Sequence, residues 1–97
     1  MIQHTVTFRL KDSIDLDWFL ERCRTLAQIP GVLDFEVLQQ IGSKNNFTHG
    51  LSMYFVDADT YASYDAHPDH RAFVESVWLP SVEEFLELDY RREALPS

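Results

Sequence analysis

The sequence is short of cationic residues, of cysteine and of long apolar runs, and each shortage removes a class of function. Eight Lys and Arg stand against sixteen Asp and Glu, a formal net charge of -8. A surface of that sign repels phosphate backbones and anionic headgroups, so neither nucleic acid nor a membrane is expected as a partner. Arg91-Arg92 is the one adjacent basic pair, and it reads as a solvated strand end rather than a patch. Cys23 is the only cysteine. No intrachain disulfide can form, and the reducing cytoplasm is the expected compartment. Its neighbours Phe19, Leu20, Leu26 and Ala27 predict a buried thiol rather than a nucleophile. No apolar run approaches the ~20 residues that cross a bilayer. The chain opens on an alternating pattern rather than a signal-type apolar core, so a soluble, unprocessed protein is expected.

What the chain does contain is one domain of patterned segments, spanning 1–97, since domains usually run about 100 to 150 residues. A chain of this size buries only about 60 to 65% of the surface it exposes when unfolded. Part of its 45% hydrophobic content should therefore lie outside the monomer core, which favours a partner surface. Ile2 to Leu10 alternates, with His4 on the apolar side beside Val6 and Phe8, the pattern of a half-buried strand. With Ser13 or Asp15 as N-cap, Leu16, Phe19, Leu20, Cys23, Leu26 and Ala27 recur at helical spacing before Pro30-Gly31 stops the helix. Val32 to Gln40 and Thr48 to Val56 read as strands flanking the polar Gly42 to Asn46 stretch, which is expected to be a mobile connection. His49 shares a face with Leu51, Met53 and Phe55. Asp57-Ala58-Asp59 starts a helix through Tyr61 and Tyr64. His67-Pro68 starts a second helical piece carrying His70, Phe73, Val74, Val77 and Trp78, which Pro80 ends or kinks. Phe85 to Arg92 alternates as a fourth strand.

The order strand, helix, strand, strand, helix, strand defines an α+β fold of the ferredoxin-like split βαβ type (βαββαβ). Right-handed crossovers are expected to set the first and third strands side by side and parallel. His4 and His49 would then each stand near a strand start on the helix-facing side, with Tyr64, His67 and His70 above them.

For each histidine an ordinary reading stands beside the functional one. His4 and His49 read either as buried rings satisfied by backbone or by each other, or as ligand-facing groups. His67, before a proline, reads as a helix cap, with a place at the ligand as the alternative. His70 is the candidate for direct contact with a bound molecule, and Tyr64 its partner. Trp18, Phe19 and Trp78 suit packing or a subunit seam. Histidines near Asp69 suggest a metal site in principle, but a proline inside the His-x-x-His spacing argues against it, and no metal or cofactor is expected.

Several segments together resemble one known family. They are Met1-Ile2-Gln3-His4 with Val6 and Phe8, Ile29-Pro30-Gly31-Val32, Phe47-Thr48-His49, Tyr64-Asp65-Ala66-His67-Pro68-Asp69-His70 with Phe73-Val74, and Asp89-Tyr90. Over nearly its whole length the chain resembles the stress-responsive α/β-barrel (Dabb) family. The resemblance implies a ferredoxin-like protomer that pairs with a second copy into a dimeric α/β barrel, helices outside. One branch of that family, plant polyketide cyclases similar to olivetolic acid cyclase, closes a poly-β-keto chain by an aldol step. Its catalytic tyrosine and histidine match Tyr64 and His70, and two further pocket histidines match His4 and His49. In such a site His70 acts as base on a methylene between carbonyls, and Tyr64 donates to the enolate oxygen. The expected ligand is a small apolar or aromatic compound held by Val6, Phe8, Leu51, Met53, Phe73 and Trp78. Two other functions remain open: a non-catalytic stress or binding dimer with structural histidines, and a cofactor-free monooxygenase of related fold.

Overall fold

The computed structural model describes residues 1–96. The first alternating segment forms β1, Ile2–Leu10, with His4, Val6 and Phe8 buried on one face. Of the two N-cap candidates Asp15 serves: its carboxylate accepts from the Trp18 N–H at 2.9 Å and opens α1, Leu16–Arg24. A 3-10 turn, Thr25–Gln28, tightens the end of α1. Gly31 then takes φ +94°, and a Cβ there would lie 2.5 Å from Thr60 Cγ2. Both the turn and the close approach require glycine.

β2, Leu33–Gln39, and β3, His49–Phe55, follow. The polar connection between them bonds back onto one side chain. Gln40 Nε2 donates to Phe47 O at 2.7 Å, to Gly42 O at 3.0 Å and to Asn45 Oδ1 at 3.2 Å. Asp57 caps α2, Ala58–Ala66, accepting from Thr60 N and Oγ1 at 2.8 and 2.7 Å. The Thr60 hydrogen bonds hold the Asp57 carboxyl below its ordinary range. His67 interrupts the helix in an extended conformation and caps α3, Pro68–Phe73. A π-turn, Val74–Trp78, then carries the Leu79 N–H back to Val74 O, and one further helical turn, Leu79–Ser81, leads into β4, Val82–Arg91. Pro80 lies in that last turn and has no N–H to continue the ordinary ladder.

The sheet order is β2-β3-β1-β4, and every neighbouring pair is antiparallel. This corrects the expectation that the first and third strands run parallel. The α1 crossover makes β1 and β2 the parallel pair; β3, turned back on β2 and inserted between them, runs against both. The correction moves His49. In the β1/β3 register His4 faces Met53 and Phe8 faces His49. The two histidines share a sheet face but stand at opposite ends, four residues apart along β1 or roughly 14 Å at about 3.4 Å per residue.

The helices cover one face only, with Phe8, Phe19, Leu51, Phe55 and Tyr64 buried between the layers. On the other face Leu33, Leu38, Leu86, Leu88 and Tyr90 remain 40 to 51% exposed. An antiparallel sheet with one apolar face uncovered is a surface prepared for another layer.

Candidate functional site

A cavity of about 270 Å³ opens between the sheet and the second helical region. Val6, Leu51 and Met53 form its floor, and Phe73, Val74, Trp78 and Leu79 its helical side, with Leu26 and Phe85 closing the edges. His4, Tyr64, His70 and Glu87 supply its polar groups.

His70 follows the proline-started turn, and its Nδ1 lies 3.1 Å from the Asp65 carbonyl. A carbonyl only accepts, so Nδ1 carries the proton and the lone pair of the neutral ring sits on Nε2. The ring packs on Tyr64, centroids 4.5 Å apart. Tyr64 is 2% exposed, and its hydroxyl has no hydrogen bond among the described residues. Arg9 Nε is the sole fully enclosed side-chain nitrogen or oxygen among the described residues without a partner, so the Tyr64 hydroxyl keeps open surface, and the cavity is what it lines. Burial, then the nearby Asp65 and Glu87 carboxylates, push its pKa well above the ordinary phenol range. Tyr64 is therefore a hydrogen-bond donor and not a phenolate base.

His4, 6% exposed, belongs to a cluster that strand alternation alone does not reveal. The β1/β4 register sets it opposite Asp89. Its Nδ1 lies 2.6 Å from Asp89 Oδ1 and 2.8 Å from the Tyr61 hydroxyl, which itself donates to Asp89 at 3.0 Å. Asp89 accepts only, so it takes both the Nδ1 proton and the phenol proton. Burial and the Asp89 carboxylate together raise the Tyr61 pKa far above the phenol range. All hydrogen bonds of His4 among the described residues are made by Nδ1, which leaves Nε2 for the cavity.

The structure brings His4, Tyr64, His70, Val6, Leu51, Phe73 and Trp78 to one cavity. It does not bring His49, His67 or Phe8. His49 bonds to Thr48 Oγ1 at 2.9 Å and stacks on Phe8, which is wholly enclosed in the core. His67 spends Nδ1 on the Asp69 N–H at 3.1 Å, the helix cap its place before proline suggested. Tyr61, Asp89 and Glu87 are the residues that sequence reasoning missed. The alternation of β4 did set Glu87 and Asp89 on one side, but only the register aims that side at His4 and Val6. Cys23 is buried, and desolvation raises its thiol to about 12 although Arg24 offsets part of the effect. It is inert. Among the described residues no three His, Cys, Asp or Glu side chains are placed to hold a metal, and no helix is long and apolar enough to cross a membrane.

An antiparallel four-stranded sheet with helices on one face, enclosing a cavity with two imidazoles and a phenol, is a ferredoxin-like α+β domain with a small-molecule-sized site. The chain belongs to the Stress responsive A/B Barrel Domain family, Dabb, which it matches over residues 2–92. It is 31% identical over 101 residues to a stress-response A/B barrel domain-containing protein of Arabidopsis thaliana, covering 99% of this chain and 38% of that protein. The chain thus spans well under half the length of that relative. Among solved structures, a Dabb family protein with a ferredoxin-like fold from Mesorhizobium loti superimposes with a TM-score of 0.91 at 45% identity, covering 96% of this chain and 97% of that one. A hydroxynitrile lyase from Passiflora edulis superimposes with a TM-score of 0.86 at 20% identity, covering 98% and 96%. At that identity the second likeness concerns the fold.

Proposed function

We propose that this chain is a homodimeric enzyme needing no cofactor, a lyase or cyclase acting on a small keto or phenolic compound, with His70 as base and Tyr64 as oxyanion donor. One observation carries the reading: His70 Nδ1–H is fixed on the Asp65 carbonyl beside a protonated Tyr64, and both residues line one cavity. A neutral imidazole held in one tautomer is suited to remove a proton from carbon next to a carbonyl. The phenol hydroxyl supplies a hydrogen bond where negative charge develops on oxygen. Bond making or breaking through an enolate, as in the aldol step of the plant cyclases whose motif this chain resembles, needs no further group. The passion-flower lyase of similar fold makes a lyase a natural member of the class.

The dimer reading rests on the uncovered face of the sheet and on the barrel architecture of the family. The cytoplasm remains the proposed compartment, on the strength of the single buried thiol.

A test that needs no natural substrate is exchange of the methylene hydrogens of ethyl acetoacetate with D2O, followed by NMR. The protein should accelerate exchange, and His70→Ala and Tyr64→Phe should each lower that acceleration by about 10²-fold or more. Unchanged exchange in His70→Ala refutes the assignment.

A second reading has its own support, because all four histidines have structural partners: Asp89 and Tyr61 for His4, Thr48 for His49, the helix start for His67, and the Asp65 carbonyl for His70. A non-catalytic binding dimer built this way would show no exchange activity, and His70→Ala would only lower its melting temperature.

A further inference from the structure

The charge of the cavity bears on what can enter it. Among the described residues Glu87 is the sole carboxylate lining it, and no Lys or Arg lines it. Glu87 stands on β4 opposite Val6, on the helix-facing side, and Asp89 stands two residues on, behind His4. Its charge reaches the cavity: burial is the main influence that keeps the Tyr61 and Tyr64 hydroxyls protonated, and Glu87 adds the smallest of the contributions to each. A carboxylate entering here sheds its hydration, meets a like charge, and finds no guanidinium or ammonium to replace the water. The groups on offer are the Nε2 atoms of His4 and His70 and the Tyr64 hydroxyl, which pair well with a neutral oxygen. Benzene fills a cavity of about 150 Å³, so the 270 Å³ present here suits a substituted single ring or a chain of similar bulk.

We infer that the cavity takes an uncharged ligand bearing a hydrogen-bonding oxygen, and that Glu87 is a specificity-determining residue that turns away the corresponding carboxylate. This rests on the reading of the cavity as a ligand site. It adds that the substrate is a neutral aldehyde, ketone, ester or phenol, so any acid function would have to be masked before binding.

The test is a matched pair of probes, benzyl alcohol and benzoate, titrated into the full chain at millimolar concentration and followed by the NMR signals of His70 and Trp78. Benzyl alcohol should shift those signals, and benzoate should bind at least about tenfold more weakly. Glu87→Gln should narrow the gap severalfold, and Glu87→Lys should narrow it further. Equal binding of the two probes to the native chain, or an unchanged gap in both variants, overturns the inference alone. Failure of both probes to bind overturns the ligand-site reading and this inference with it.

Discussion

Removing the Asp89 carboxylate should switch the tautomer of His4. In the native cluster Asp89 accepts from both His4 Nδ1 at 2.6 Å and Tyr61 at 3.0 Å. In Asp89→Ala the phenol keeps its place 2.8 Å from Nδ1 but has lost its acceptor. Its proton turns to Nδ1, and the ring proton moves to Nε2. The cavity then meets a donor at His4 instead of a lone pair. The energetic cost is modest: a charge-assisted hydrogen bond contributes about 1.5 to 3 kcal/mol, but the Asp89 side chain is 46% exposed, so screening leaves about 1 kcal/mol. For a domain of this size that is a loss of roughly 4 to 8 °C in melting temperature, compared at fixed concentration because a dimer melts in a concentration-dependent way. Ring ¹⁵N shifts on the alkaline side, where the neutral ring is observed, report the tautomer directly. Native His4 should carry its proton on Nδ1 and Asp89→Ala on Nε2, while Asp89→Ala combined with Tyr61→Phe removes the driving group and leaves a mixture. A native ring already protonated on Nε2, or one unmoved by Asp89→Ala, refutes the cluster as described.

The elements were legible because each depends on nearest neighbours in the chain. Alternation marks the strands, and Asp15, Asp57 and His67-Pro68 mark helix starts through bonds to residues two or three positions on. Strand direction was not legible in this way, since alternation is the same whichever way a strand runs. That is why His49 was placed on the correct face and at the wrong end. Tyr64 and His70 were recognisable together because they flank one turn. The partnership of His4 with Asp89 spans 85 positions and exists only through the β1/β4 register. Tyr61 is drawn in because α2 begins where β3 ends, beside the start of β1. An acidic residue on a short alternating strand carries no mark of facing inward, so alternation alone does not single out Glu87.

Two further outcomes follow from the same contacts. His67→Ala should cost about 1 kcal/mol, and His67→Asn should recover most of it, because what the cap supplies is an acceptor for the Asp69 N–H; equal losses for both variants would assign the effect to packing instead. Leu86→Lys with Leu88→Lys should separate the proposed homodimer. Both side chains are close to half exposed in the single chain, and burying what remains of each is worth about 1 kcal/mol. Two leucines on each of two protomers then give about 4 kcal/mol, roughly a thousandfold in dissociation constant before the desolvation cost of four lysines is added. Because both positions lie on the face away from the helices, neither the core nor the cavity loses a contact. Light scattering at micromolar concentration should therefore move from twice the 11.4 kDa chain mass to that mass, with the fold intact by circular dichroism. A native protein already at 11.4 kDa, or a double variant still at twice that mass, would remove the uncovered sheet face as the seam.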